Sequence, residues 1–187
     1  MPENIDYKFL SDLEGGSKTS GYVPAAGVSK SGVTIATGFD LGQRSESDLT
    51  RLGLNQVLRT KLKPYLGKKS KDAVNYLKSN ALVITVDNAG KIDKAVKSAH
   101  ITSLKSKYDS SVHNTAKKKF SDIPPEAQTV IASVSFQYGI NLNTAAPKFW
   151  EAASSQNWKE SITLLKAFGD SYPTRRNKEA VLMEKIK

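Results

Sequence analysis

The sequence contains no cysteine and only two histidines, which makes several kinds of site improbable at the outset. Without thiols there is neither a disulfide framework nor a thiolate metal site, so the chain is compatible with a reducing or an oxidising compartment. His100 and His113 lie in unlike sequence contexts, and no GxSxG motif accompanies them. We therefore expect no metal site, no cofactor and no serine-histidine catalysis.

Long hydrophobic runs are also absent. No segment approaches the roughly 18 apolar residues that span a bilayer. The first residues, MPENIDYKFLSDLE, lack the basic start and apolar core of a signal peptide. We expect no membrane insertion, and if the protein acts outside the cell that makes it, another component must deliver it.

Negative charge is in short supply. The 187 residues include 18 Asp and Glu against 28 Lys and Arg, which gives a net charge of +10. Such a balance favours a polyanionic partner, namely nucleic acid, anionic lipid or an acidic bacterial wall polymer. The lysines are scattered, however, and no helix-turn-helix, zinc or RNA-binding signature is present. We therefore expect no nucleic-acid partner. Because of the charge, nucleic-acid binding is the rival hypothesis against which this expectation is tested.

Hydrophobic periodicity predicts an α+β chain that is mostly helical. A short helix ends at Gly15–Gly16, and the alternation over residues 31–42 indicates a strand or hairpin in a small antiparallel sheet. Ser45 and Asp48 form a capping-box-like start of a helix that is interrupted near Gly53 and stopped at Pro64. A helix is predicted after Pro124–Pro125, and we expect it to form the central core. Further helices are predicted over residues 70–79, 88–107, 145–155 and 157–168 and from about Pro173 onward.

Glu14 occupies an unusual place for an acidic side chain. A carboxylate in the last turn of a helix faces the negative end of the helix dipole, which costs about 0.3–1 kcal/mol. Helix formation does not require it there. It is either a solvated surface residue or a functional acid in a partly buried cleft.

Thr34 and Asp40 have the same parity in the alternating segment. In one continuous strand they would lie on one face but roughly 20 Å apart, at about 3.3 Å per residue. They can act on one substrate only if the chain bends at Gly38 or Gly42. Otherwise Thr34 is an ordinary strand residue and Asp40 a turn or cap residue.

Several segments together resemble phage-type lysozymes, and most closely the pesticin-like bacterial toxin subgroup. These are EGG at residues 14–16, GYVP at 21–24 and SGVTIATGFDLGQR at 31–44. Downstream, SFQYG is similar to the segment that closes the long central helix of that family, and FWEAASSQNWKESITLLKAF and YPTRRNKEAVLMEK resemble its C-terminal helices.

The resemblance implies roles for individual residues. Glu14 matches the general acid, Thr34 the threonine that helps to hold the attacking water, and Asp40 the second carboxylate of the pesticin subgroup. In the phage enzymes the aspartate lies between the glutamate and the threonine, whereas residues 15–33 here contain no acidic residue. Three further residues are implied in substrate binding: Gln137 as a cleft-lining amide, Arg176 as the partner of the catalytic glutamate, with Arg175 as the alternative, and Tyr22 in GYVP.

The implied fold is a single two-lobed lysozyme-like domain over residues 1–187. Its β-containing lobe is expected over about 12–60 and its helical lobe over about 61–187. The implied activity is hydrolysis of the β-1,4 bond between N-acetylmuramic acid and N-acetylglucosamine, with inversion. A non-catalytic wall-binding or toxin-delivery module with the same fold is the alternative.

The resemblance also implies a biological setting. We expect the C-terminal part of a larger effector or bacteriocin, secreted or injected, which acts on peptidoglycan in the periplasm or cell wall of a target bacterium. A monomer and a cognate immunity protein that blocks the cleft are expected by analogy.

Overall fold

The computed structural model describes residues 4–24 and 30–187. It is 61% helical with one small antiparallel sheet, so the predicted α+β, mostly α, class is confirmed. The chain forms two compact units, one over residues 14–99 and the other over residues 1–13 and 100–187. Helices that the sequence analysis assigned to the second lobe, from residue 61 up to residue 99, lie in the unit that contains the sheet.

The sheet of the 14–99 unit has three antiparallel strands in sequence order. They are β1 (Lys18–Tyr22), β2 (Thr34–Ala36) and β3 (Phe39–Asp40). The chain reverses direction between β2 and β3, where Ala36 and Gly38 have positive φ values of 52° and 79°. Glycine adopts such a conformation at no steric cost. The predicted bend is therefore confirmed at Gly38, and β1, which the sequence analysis did not identify, completes the sheet.

In the described part of this unit, four α-helices follow the sheet along the chain. Ser45 caps the first of them through a full capping box with Asp48, as predicted, and Asn55 caps the second. The short gap between these two helices contains Gly53 with a φ of 68°, which confirms the predicted interruption. The helices are α2 (Glu46–Arg51), α3 (Gln56–Leu62), α4 (Ser70–Ser79) and α5 (Val86–Asp109), of which the last continues beyond residue 99.

A separate hydrophobic core holds the 14–99 unit together. It combines strand residues such as Ile35 with helix residues such as Leu58 and Ile92, all of them almost fully buried. Removing one such aliphatic side chain costs about 2–5 kcal/mol, because the site collapses only in part. The small sheet is therefore fixed by packing against helices rather than by its short ladder alone.

The other unit is helical and is built around α6 (Pro125–Tyr138). Pro125 begins this helix at a position where the missing N–H is not needed, and residues 127–135 are buried on every side. This confirms the predicted core helix. The remaining helices of the unit are α1 (Tyr7–Glu14), α7 (Leu142–Ala145), α8 (Pro147–Ser154), α9 (Trp158–Lys166) and α10 (Pro173–Met183). Among the described residues, no helix has the length and apolar character needed to cross a bilayer.

Candidate active site

Glu14 is the last residue of α1, where the sequence pattern predicted the helix to end. Gly15 and Gly16 follow with positive φ values of 72° and 87°, so the backbone leaves the helix through residues that tolerate this conformation. The Glu14 side chain is only 13% exposed. It is therefore not the solvated surface residue that its position in sequence would suggest.

Lys97 of α5 is the ionic partner of Glu14. Its Nζ atom lies 2.8 Å from Glu14 Oε2, and the Lys97 side chain is only 14% exposed. Oε2 is buried and accepts no hydrogen bond of good geometry within the described part of the chain. The contact with Lys97 is therefore an ion pair held by the attraction of opposite charges rather than by a well-aligned hydrogen bond. The sequence analysis missed Lys97, because a single lysine among 28 basic residues carries no signal of a partner so distant in the chain.

Three predicted site residues form one row across the sheet. In the antiparallel register Tyr22 of β1 is the partner of Thr34 of β2, and Thr34 is also the partner of Asp40 of β3. Directly opposed residues have Cα atoms about 4.5–5.5 Å apart and side chains on the same face. The hairpin thus replaces the roughly 20 Å separation of a continuous strand with direct juxtaposition.

Asp40 is held by two backbone groups. Its Oδ1 atom accepts hydrogen bonds from Gly42 N at 2.8 Å and from Gly32 N at 3.0 Å. Asp40 therefore is a cap residue, one of the two interpretations of the sequence, and its Oδ2 atom takes no part in these two bonds. The side chain is partly exposed.

The two glycines around Asp40 are in close contact. A Cβ atom built on Gly32 would lie 2.4 Å from Gly42 Cα and 2.5 Å from Lys68 O, and one built on Gly42 would lie 2.6 Å from Gly32 Cα. Any other residue at either position would push these backbone segments apart. The glycines therefore allow the approach that brings both N–H groups to the Asp40 carboxylate.

Thr34 is buried, with 2% exposure, and its hydroxyl donates a hydrogen bond to Gly32 O at 3.2 Å. Because the hydroxyl proton is used in this way, the lone pairs of Oγ1 are left to accept a hydrogen bond from another group. Tyr22 is partly exposed, and the Lys18 ammonium lies 4.1 Å from the centre of its ring. The row therefore offers an acceptor, a carboxylate and an aromatic ring side by side.

The turn between β2 and β3 is anchored to α5. Asp93 accepts two hydrogen bonds of 2.9 Å from Thr37, one from the backbone N to Oδ1 and one from Oγ1 to Oδ2. Asp93 stands four residues before Lys97 on the same helix. The sequence analysis did not identify this contact either, since nothing near Asp93 indicates a partner in the glycine-rich segment.

Gln137 and Arg176 lie in the other unit and are in contact with each other. Arg176 is 1% exposed and donates to Gln137 Oε1, to Asp170 Oδ2 and to Glu179 Oε2. Its guanidinium also stacks 4.5 Å from the centre of the Phe168 ring. Both carboxylates and the amide oxygen therefore surround one buried cation.

Asp170 illustrates the electrostatics of this cluster. Burial alone would raise the pKa of Asp170, but hydrogen bonds from the Tyr138 hydroxyl, the Tyr172 backbone and Arg176 lower the pKa below its ordinary value. Asp170 is thus held as an anion opposite Arg176. The resemblance implied that Arg176 pairs with Glu14; in the structure the ionic partners of Arg176 are Asp170 and Glu179, and that of Glu14 is Lys97.

The orientation of the Gln137 amide follows from its partner. Arginine has only hydrogen-bond donors, so the amide oxygen must face Arg176 and the NH₂ group must face away. Within the described residues this NH₂ group donates no hydrogen bond, and the side chain is partly exposed. Gln137 therefore offers donors, and no acceptor, to a ligand.

Neither histidine enters this arrangement. His100 Nε2 lies 2.8 Å from Ser135 Oγ, but the serine hydroxyl donates its proton to Ala132 O, so the imidazole is the donor and does not activate the serine. Burial lowers the pKa of His100. In the described part of the chain, no group of three or more His, Cys, Asp and Glu side chains is arranged to hold a metal ion.

Comparison with known proteins gives one clear finding. A family model described as "Pesticin: Bacterial toxin homologue of phage lysozyme, C-term" matches residues 4–159. The matched range includes Glu14, Tyr22, Thr34, Asp40 and Gln137, and it ends before Arg176. Among curated protein sequences no match is found.

Proposed function

This chain belongs to the Pesticin family of bacterial toxins homologous to phage lysozyme, and from that premise we propose that it is a muramidase. The proposed reaction is hydrolysis of the β-1,4 bond between N-acetylmuramic acid and N-acetylglucosamine in peptidoglycan. The observation that carries the proposal is the register of the β2–β3 hairpin, which sets Thr34 directly opposite Asp40 in the same compact unit as the half-buried Glu14.

The proposed mechanism is a single displacement with inversion. Glu14, in its protonated form, donates its proton to the oxygen of the leaving sugar as the glycosidic bond breaks. A water molecule attacks the anomeric carbon from the opposite face and loses a proton to Asp40. An inverting pair of carboxyl groups is separated by about 6.5–9.5 Å, which leaves room for this water, and we expect that spacing between Glu14 and Asp40.

Thr34 and Asp40 suit the handling of water. The Thr34 hydroxyl donates to Gly32 O, so its oxygen can accept a hydrogen bond from one O–H of the water, while the Asp40 carboxylate accepts a hydrogen bond from the other O–H and then takes that proton. The two backbone bonds to Asp40 Oδ1 fix the carboxylate plane and leave Oδ2 as the proposed proton acceptor. Support therefore comes from the hydrogen-bond pattern as well as from the family.

Three residues are proposed to bind the sugar chain. Tyr22 offers an aromatic face beside Thr34, and Gln137 offers amide donors that suit the carbonyl oxygen of an N-acetyl group. Arg176 is buried behind Gln137 and acts through it, by holding the amide oxygen. Peptidoglycan and its attached polymers are anionic, so the net charge of +10 favours accumulation on the wall, and activity should fall as salt screens the attraction.

The biological setting remains part of the proposal. We propose that the protein acts, after secretion or injection, on the cell wall of a target bacterium as a monomer. A cognate immunity protein would protect the producing cell by covering the site.

A turbidity assay on purified cell walls tests the proposal. Wild-type protein should clear the suspension, and Glu14→Gln, which keeps the size of the side chain but cannot donate an acidic proton, should not. Lysis by Glu14→Gln at the wild-type rate would refute the mechanism.

The same assays distinguish the alternatives. If the wild-type protein binds insoluble peptidoglycan but releases no reducing ends, the alternative of a wall-binding or delivery module is favoured. Salt-sensitive DNA binding without wall hydrolysis would favour the nucleic-acid hypothesis.

A further inference from the structure

Helix α5 presents two partly buried charged side chains, Asp93 and Lys97, that contact different parts of the proposed site. Asp93 accepts both hydrogen bonds of Thr37, at the turn that joins β2 to β3. Lys97 forms the ion pair with Glu14 at 2.8 Å. Residues four apart lie on the same side of a helix, about one turn from each other. One short stretch of α5 therefore contacts both the proposed acid and the hairpin that carries Thr34 and Asp40.

We propose that Asp93 and Lys97 are positioning residues that fix the spacing between the acid Glu14 and the base Asp40. This inference rests on the proposed muramidase function. A helix backbone is rigid over one turn, so the Asp93 and Lys97 side chains hold the two halves of the catalytic pair against one common frame. Neither residue needs to contact the substrate to do so.

A comparison within α5 shows that these contacts differ from ordinary surface pairs. Asp87 and Lys91 have the same four-residue spacing on this helix and form an ion pair of 2.7 Å, yet their side chains are 72% and 54% exposed. Such an exposed pair contributes little, because water and salt screen it. Lys97 and Glu14 are largely withdrawn from water, so their charges interact strongly and hold one geometry.

Lys97 also has a specific effect on the acid. Its ammonium group occupies Oε2 of Glu14, which leaves Oε1 as the atom that carries and donates the proton. When the proton passes to the leaving oxygen, Glu14 becomes a carboxylate beside a fixed positive charge. The Lys97 contact is therefore stronger after proton transfer than before it, and it should lower the barrier rather than tighten substrate binding.

The first test uses the absence of cysteine from the chain. In Lys97→Cys the new thiol is the only one present, so it is alkylated in urea with 2-bromoethylamine, which rebuilds an amine at nearly the length of lysine, and the protein is refolded. Iodoacetamide, which gives a neutral amide, serves as the matched reagent, and wild-type protein carried through the same steps controls for refolding. Activity is measured on soluble peptidoglycan oligomers.

For unmodified or iodoacetamide-treated Lys97→Cys we expect kcat to fall by about 10²-fold, since displacement of a catalytic group by about 1 Å has an effect of this size. KM should be nearly unchanged, because substrate contacts remain. Bromoethylamine should restore most of kcat, and Lys97→Arg should retain part of it. Equal activity of the amine and amide forms, or a rise in KM with an unchanged kcat, would overturn the role of Lys97.

The second test concerns the two hydrogen bonds between Asp93 and Thr37. Asp93→Asn can still bond both groups of Thr37, because its oxygen accepts from the backbone N–H and its NH₂ donates to the hydroxyl, whereas Asp93→Ala can bond neither. We expect the alanine variant to lose kcat by about 10²-fold and the asparagine variant to lose far less. Asp87→Ala on the same helix is the control and should match wild type.

Equal activity of Asp93→Ala and wild type would overturn the role of Asp93. A wild-type protein that releases no reducing ends would refute the proposed function itself. An active wild-type protein with unaffected Lys97 and Asp93 variants would refute only the positioning role.

Discussion

Two variants of Asp40 separate its structural role in the hairpin from its proposed role as the general base. The structure gives its Oδ1 atom two backbone hydrogen bonds, from Gly32 N and Gly42 N. In Asp40→Asn the amide oxygen can accept both bonds, so the cap is retained while the ability to accept a proton from water is lost. In Asp40→Ala both functions are lost.

The magnitudes follow from these contacts. A hydrogen bond to a charged group contributes about 1.5–3 kcal/mol and one between neutral groups about 0.5–1.5 kcal/mol. The side chain is partly exposed, so water compensates in part, and the lower ends of these ranges apply. We expect Asp40→Asn to lower the free energy of unfolding by about 1 to 2 kcal/mol, and Asp40→Ala by about 3 kcal/mol.

The effect on catalysis should be quite different. Loss of a general base typically costs about 10²–10⁴-fold in rate, so both variants should show a similar and large loss of kcat. Urea unfolding and assays on soluble peptidoglycan oligomers measure the two quantities on the same samples. Near-wild-type kcat for Asp40→Asn would refute the base assignment and leave Asp40 as a cap alone. A stability of Asp40→Ala equal to wild type would show that the two backbone bonds do not hold the hairpin.

Two further predictions concern stability. Gly32→Ala should lower the free energy of unfolding by about 1–3 kcal/mol, because its methyl group would meet Gly42 and Lys68 backbone atoms. The control Gly90→Ala, in α5 with no atom within 4 Å of its Cβ, should raise the free energy of unfolding by about 0.5–1 kcal/mol; equal effects in chemical denaturation would contradict the close approach. Burial lowers the pKa of His100 below its ordinary value of 6.5, so the unfolded chain binds a proton more readily and stability should fall as the pH drops below 6.5. In His100→Gln the free energy of unfolding, measured by urea titration at pH 7 and at lower pH, should therefore depend less on pH than in wild type. An unchanged pH dependence would show that other groups cause it.

Local sequence signals predicted the elements of the fold well. The capping box at Ser45, the interruption at Gly53 and the start of α6 at Pro125 all depend on backbone chemistry within a few residues. A bend was predicted at Gly38 or Gly42, since only a bend could bring Thr34 and Asp40 together, and the structure has it at Gly38. Strand β1 was not predicted, because its five residues, KTSGY, do not alternate between apolar and polar side chains.

Long-range contacts were the part that sequence could not supply. The resemblance named Arg176 as the partner of Glu14, whereas the ion pair that Glu14 makes in its own unit is with Lys97. A motif transfers the identity of a residue, but the partner of a charged side chain depends on which helix face packs beside it. Asp93 was missed for the same reason, since only the folded chain brings α5 to the β2–β3 turn.

The central claim is the proposal that this chain hydrolyses the β-1,4 bond between N-acetylmuramic acid and N-acetylglucosamine, with Glu14 as the acid and Asp40 as the base. Mass spectrometry of peptidoglycan digested with wild-type protein, before and after borohydride reduction, tests it most directly. The account predicts fragments with N-acetylmuramic acid at the reducing end, formed by wild type and absent with Glu14→Gln. Reducing N-acetylglucosamine ends, 1,6-anhydro products, or no release of fragments by wild type would contradict it.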